Sequence, residues 1–563
     1  MNRKPFFTLC MMLTVLFLTP SVAAGAAAVS YTNPILPYDY SDPDVCRVGD
    51  TYLMTSSSFN NVPGLQILAS KDLLHWEIVD AAIRYRVPGY GEGEPLLGRM
   101  VWAPAIREHD GRIYIYYGDP DRGIYCIRSG QLPETGELRF PLEWEEAVLV
   151  MPAKGYIDPC PLWDEDGRVW LCHAMAGSRA GFKSVILVAE LTADGLGVKT
   201  PSRIVFDGHE EHPTSEGPKL YKRNGYYYIM HPAGGVKEGW QVVQRSHTIY
   251  GPYELRVVLA QGKTAINGPH QGAWVETPEG ESWFFHFQDV GVAGRLVHLQ
   301  PVRWVDDWPL MGSSVSAPKQ TCGEPLTHYG HPRRGERTWA NMAHRDEFDQ
   351  AQLGWDWQFA GGYIDPRWYF CHRAESLLRL YSFPRTEEMI PNMLLQKIPA
   401  VAFTATARVR FCPNPVESMR GAEQAGMVVF GRQSFTAEAP ADGRWVQLRL
   451  QMDEHQRGQF YMGVERCLEH SKETKNSKKS KVESEVEHSH KNRGRAARVP
   501  GGSDVEDGLQ HSPEVEWKAV GEPFQAVEGY WIGAQVGLFC TRDHRPINDG
   551  GWLDVDWFEI TIQ

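Results

Sequence analysis

An all-β chain, a five-bladed β-propeller followed by a β-sandwich, is what three observations predict. A glycine followed three residues later by an aromatic recurs five times before residue 290. Gly and Pro are spread along the whole length rather than clustered, and beyond residue 345 apolar and polar residues alternate with period two and no helical stretch.

At 563 residues the chain is long enough for two or more domains. Its 19 Trp, 23 Tyr and 22 Phe, with 54 Gly and 38 Pro, suit a turn-rich β protein with a sizeable core. The formal net charge of −13 argues against nucleic acid or an anionic membrane as partner, since either wants a basic face, and leaves a neutral, sugar-like ligand open.

Residues 1–28 read as a secretory signal peptide: Arg3 and Lys4, an apolar run over 6–18, then small residues offering cleavage between 23 and 28. That run is too short to span a bilayer, so a soluble protein exported to the periplasm or out of the cell is expected, without a membrane anchor. The nine cysteines that remain after Cys10 leaves with this segment are widely spaced, form no C-x-x-C pair and read as buried free thiols.

The repeat builds residues 29–320. Its glycines are Gly49, Gly111, Gly167, Gly225 and Gly280, spaced by 62, 56, 58 and 55 residues, and its aromatics are Tyr52, Tyr114, Trp170, Tyr228 and Trp283. Each copy reads as a hairpin, an apolar strand, a polar turn and an aromatic strand, with further strand-like runs completing four short strands per period. Five such sheets closing radially protect their edges, which separate hairpins would leave open.

In a propeller the first strand of every blade lines the central channel, so residues at its start converge on one mouth. Seven to ten residues ahead of the five glycines stand Asp42, Pro104, Asp158, Glu216 and His270. Three carboxyls brought from distant segments to one pocket repel one another, and glycoside hydrolysis is a chemistry that needs them: a base, an acid, and a third charge to hold their pKa values apart. Asp44 competes with Asp42, being two residues on and so on the same strand face; Glu210 and Glu211 compete with Glu216. Asp42 stands directly before Pro43, and Glu216 repeats the nine-residue offset to glycine that Asp158 shows, so both are kept.

The segments SDPDVCRVGDTYLMTSSSF, VWAPAI, YIDPCPLW, SEGPKLYKRNGYYYIM, GPHQGAWVE and AGRLVHLQPVRW, in that order over about residues 33–312, resemble the motifs of glycoside hydrolase family 43, exo-acting β-xylosidases and α-L-arabinofuranosidases on a five-bladed propeller. The resemblance implies that Asp42 is the general base that activates water, Glu216 the general acid, and Asp158 the residue that raises the pKa of Glu216 and orients it. It further implies that Arg295 pairs with Asp158, and that His270 reaches the propeller axis and contacts a hydrated calcium or similar ion. From the residues alone His270 reads rather as a hydrogen-bonded core residue, because calcium prefers oxygen ligands. No cofactor is required for the chemistry. An inverting displacement calls for about 6.5 to 9.5 Å between base and acid carboxyls. Phe59, Trp102 and Gln271 are candidates for the sugar-binding wall, Trp102 serving equally well as core.

Residues 321–343 form a Pro, Gly and Arg-rich linker, and 344–563 a β-sandwich whose opening DEFD, GAQVGLF strand and closing DVDWFEI resemble the concanavalin-like, jelly-roll domain attached to many family 43 enzymes. Asp346 and Asp556, from its first and last strands, are candidates for a shared structural calcium or are plain surface carboxylates. Residues 468–516, nearly devoid of large apolar side chains, read as a disordered insert between two sandwich strands. The segment after Phe539, CTRDHRPINDGG, is expected to reach over the funnel.

The expected function is thus an exo-acting, inverting glycoside hydrolase that removes terminal xylose or arabinofuranose from hemicellulose-derived oligosaccharides or polysaccharides. A non-catalytic sugar-binding propeller and an endo-arabinanase are the alternatives.

Overall fold

The structure, a computed structural model, describes residues 30–91, 97–317, 319–330, 345–387, 389–416, 422–465, 515–543 and 550–563. The proposed signal peptide lies outside these residues, as do most of the linker and most of the 468–516 insert.

Five four-stranded antiparallel sheets follow one another in the chain, and each uses four consecutive strands. Their inner strands are Asp44–Val48, Trp102–His109, Tyr156–Trp163, Lys219–Arg223 and Trp274–Glu276. The first packs against both the second and the last, which closes the ring. The repeat explains each blade's first hairpin. All five repeat glycines adopt positive φ at the turn tip, and in blades two and four the preceding Asp110 and Asn224 do so too, the backbone a type I′ hairpin turn requires. The aromatics three residues later are all buried, each a core anchor of its blade. Ahead of the first blade, Ser30–Thr32 pairs with His328–Gly330, so the two ends of the propeller segment are tied together.

The second unit is a sandwich of an eight-stranded and a six-stranded sheet around one apolar core that includes Trp357, Trp368, Leu448 and Leu538. The first described residues on the far side of the insert belong to a strand, Val515–Gln525, that pairs antiparallel with Arg457–Glu465, so the insert joins neighbouring strands. Asp346 accepts the Phe348 and Trp357 N–H groups, both at 2.8 Å, and Asp556 pairs with Arg408 at 3.0 Å. Both carboxyls are thus hydrogen-bonded within the sandwich.

The two units join through backbone as well as side chains. Val62 and Phe359 exchange N–H···O bonds of 2.9 and 2.7 Å; the Asn60 amide donates to Ala360 O at 2.7 Å, and the Val87 N–H to Gly362 O at 3.0 Å. Polar backbone pairing of this kind fixes orientation more tightly than apolar contact alone.

Candidate active site

One cavity of about 420 Å³ sits at the mouth of the propeller, and all five blades contribute to it: Asp42 from the first, Trp102 from the second, Asp158 from the third, Glu216 from the fourth, His270 and Arg295 from the fifth. Phe59 and Gln271 line it as well, so every candidate propeller site residue meets here.

The backbone explains how these side chains reach the funnel. Asp42, Phe59, Ala103, Asp158 and Gln271 all have positive φ, at 55°, 51°, 23°, 56° and 28°. In blades two and three the ladder slips at the same place, between Trp102 and Ala105 and between Ile157 and Cys160. A left-handed residue at a bulge turns its side chain out of the strand's alternation and toward the axis. Aspartate tolerates this conformation; phenylalanine, alanine and glutamine do so only under tertiary constraint, at about 1 to 2 kcal/mol each. Phe59 shows the constraint, exchanging backbone bonds with Val101 in both directions, at 2.9 and 3.2 Å.

Asp42 is gripped by Ser57, whose hydroxyl donates to Oδ2 at 2.6 Å while accepting the Ala103 N–H at 2.7 Å. Arg295 donates to Asp42 Oδ1 at 3.4 Å and lies 3.7 Å from Asp289. This corrects the expected pairing of Arg295 with Asp158: the arginine comes from the fifth blade, which is adjacent to the first, and meets the carboxyl there. Asp158 instead accepts the Gly217 N–H at 2.8 Å, fixing the backbone next to Glu216. Gly217 has φ +59°, and a Cβ on it would lie 2.6 Å from the Gln271 amide carbon, so only glycine fits between the two.

Glu216 has its pKa pushed up to about 7, first by burial and then by the charge of Asp42, against the pull of Arg295 and Lys183. Asp158 is also raised, by burial and by its two acidic neighbours. Asp42 is thus a negative neighbour that raises Glu216. His270 has one ring nitrogen 3.5 Å from Glu216 and is held neutral, its pKa depressed to about 3 by burial and by Arg295.

The competitors are placed elsewhere. Asp44 is buried below the funnel, taking the Ile106 N–H at 2.7 Å and Arg107 at 2.5 Å, with Lys219 at 3.6 Å. Glu210 and Glu211 are exposed.

Trp531, from the sandwich, also lines the cavity and meets Trp102 edge to face with ring centres 6.1 Å apart. Sequence reasoning put the segment after Phe539 here; its described residues do not line the cavity, and residues 544–549 fall outside the description. The signal for Trp531 was two adjacent aromatics flanked by glycines in EGYWIGA. Lys183, which donates to Thr214 at 3.0 Å on the rim, was likewise missed.

Residues 31–309 match the model for glycosyl hydrolases family 43, and 345–561 that for the beta xylosidase C-terminal concanavalin A-like domain. The “Putative beta-xylosidase” of Xylanibacter ruminicola is 37% identical over 405 residues, covering 72% of this chain and 71% of the relative. A non-reducing end α-L-arabinofuranosidase of Bacteroides ovatus is 29% identical, over 75% of this chain and 77% of its own. Among solved structures, a xylan β-1,4-xylosidase from Bacillus halodurans superposes with TM-score 0.72 at 20% identity, over 94% of this chain and 99% of the other, a likeness of fold. With five blades converging on a carboxyl cluster and relatives matched along most of their length, the chain is a hydrolytic enzyme of glycosyl hydrolase family 43 carrying that family's concanavalin-like C-terminal domain.

Proposed function

We propose that this enzyme removes a terminal xylose or arabinofuranose from hemicellulose-derived glycans, acting from the chain end with inversion. The observation that carries the reading is the convergence of Asp42, Asp158, Glu216 and Arg295 in one cavity walled by Trp102, Phe59 and Trp531. The relatives' names, β-xylosidase and non-reducing end α-L-arabinofuranosidase, support both the sugars and the exo mode.

In this reading Glu216 gives its proton to the glycosidic oxygen as the bond to the anomeric carbon breaks. Asp42, set by Ser57 and Arg295, takes a proton from water as that water's oxygen bonds to the same carbon from the opposite face. Asp158 orients the Glu216 backbone through Gly217. Phe59, Trp102 and Trp531 offer ring faces and Gln271 an amide to the sugar.

For an axial calcium, the fit is partial. Both His270 ring nitrogens are buried without a hydrogen-bond partner, and no three His, Cys, Asp or Glu among the described residues converge to hold a metal directly. Such an ion would be held through its water shell, with His270 facing it, and would supply positive potential under the carboxyl cluster. We further propose export of the enzyme, directed by residues 1–28; sequencing the N-terminus of the secreted form checks it.

Aryl xyloside and aryl arabinofuranoside assayed side by side, with the product anomer followed by NMR in the first minutes, test the reading. Release of the inverted sugar from either is expected. A retained anomer, or hydrolysis of neither substrate, defeats it.

A further inference from the structure

Asp39, three residues before Asp42, has no part in the chemistry above, yet its carboxyl is buried at the joint between the two units. Oδ1 accepts the Arg295 N–H at 2.8 Å, and Oδ2 accepts the Gly533 N–H at 3.0 Å. The first donor is the backbone of the residue whose guanidinium faces Asp42; the second lies two residues from Trp531.

Other contacts converge on the same point. The Ser41 hydroxyl lies within hydrogen-bond reach of Asp39 Oδ1, at 3.2 Å, and of the Trp531 carbonyl, at 3.3 Å. Lys397 of the sandwich donates to the Asp39 carbonyl at 2.7 Å and lies 3.6 Å from the centre of the Tyr40 ring. The Ala534 N–H donates to Val292 O at 2.7 Å. The backbones are packed with no room for side chains: a Cβ on Gly294 would lie 2.4 Å from the Asp39 carboxyl carbon, and one on Gly533 would lie 2.8 Å from Gly294 N. Trp531 itself has φ 66°, an outlier for so bulky a residue, so its loop is held rather than relaxed.

A buried carboxylate is a poor adhesive, since a well-packed apolar pair joins two surfaces at least as stably. What it can do, and an apolar pair cannot, is fix two chosen N–H groups on different units at once. We propose that Asp39 is a positioning residue that couples docking of the sandwich to assembly of the active site, holding Arg295 against Asp42 and Trp531 over the sugar through one carboxylate. The proposal rests on the glycosidase reading for its kinetic consequences.

Asp39→Asn keeps the shape, leaves one accepting oxygen and sets an NH2 against one of the two N–H donors. KM for an aryl glycoside should rise about five- to tenfold, the cost of one hydrogen bond. The alkaline limb of kcat/KM should move up, because Arg295 holds the pKa of Glu216 down and now retreats. Trp531→Ala should cost less in the Asp39→Asn background than in the parent. Hydrogen exchange at the 295 and 533 amides, measured without substrate, should quicken by about tenfold while the core strands of both units keep their protection. That last readout holds whether or not the chain cleaves xylosides, so an inactive parent would sink the functional reading and leave the clasp standing. If Asp39→Asn does not fold, Gly533→Ala strains the joint from the sandwich side and should give the same KM rise and limb shift. Kinetics and exchange unchanged in either variant, or a fall in Tm alone, overturn the proposal.

Discussion

Glu216 keeps its proton up to about pH 7 because burial strips the carboxylate of water and the Asp42 charge faces it. A general acid works only while protonated, so kcat/KM should fall as pH rises through about 7, and a flat profile from 6 to 9 would contradict the assignment. Glu216→Ala should lower kcat by about 10² to 10⁴ on natural glycosides and far less on aryl glycosides, whose leaving oxygen needs little help. Ser57 is a partner that sequence reasoning passed over. Its hydroxyl holds Asp42 at 2.6 Å, and Ser57→Ala should lower kcat about tenfold with KM little changed, the worth of one hydrogen bond to a charged group. A raised KM at constant kcat would show that Ser57 binds sugar instead. Asp42, Asp158 and Glu216 were legible because the repeat registers them; the partner of Arg295 was not, since only closure of the ring decides which carboxyl the fifth blade meets.

The elements divide by how local their causes are. Blade hairpins were legible in full, since a positive-φ glycine and a buried aromatic at fixed offset are short-range demands. The left-handed residues that aim the site were not, because their cause is not local: Phe59 is held by backbone bonds to Val101 and Ala103 by the Ser57 hydroxyl, both from the neighbouring blade. Trp531 was missed for a related reason: its place over the cavity depends on docking of two units. Trp531→Ala should raise KM by about three- to tenfold, the range of one aromatic contact, with kcat held within twofold. No change in KM would mean that the indole walls the cavity without touching sugar.

For the whole molecule, residues 345–563 complete the site rather than decorate it. Their removal should weaken substrate binding and lower stability, whereas a fully active isolated propeller would show that the sandwich is dispensable. Acid should also loosen the fold. Burial depresses His173, His231 and His286 to about 4, so between pH 6.5 and 4 the unfolded chain takes up protons that the folded one refuses. Stability present above 6.5 is lost as pH falls toward 4, by about 1 to 2 kcal/mol per histidine at pH 5. His212, His270 and His298 are depressed by burial as well, whereas Glu216, Asp119, Asp158 and Asp39, all raised, oppose part of this because they gain protons in the folded state first. The histidines outnumber them, so Tm should drop from pH 7 to pH 5, and His286→Gln should shrink that drop; an unchanged slope would remove His286 as a cause. Finally, an enzyme that acts from the chain end, as the relatives' names support, takes only a terminus. Its velocity on a polymer is then set by how many termini the solution holds and not by the mass of glycan, so each internal cut made by some other enzyme would hand it fresh substrate, and uncut fibre, however abundant, would leave it nearly idle.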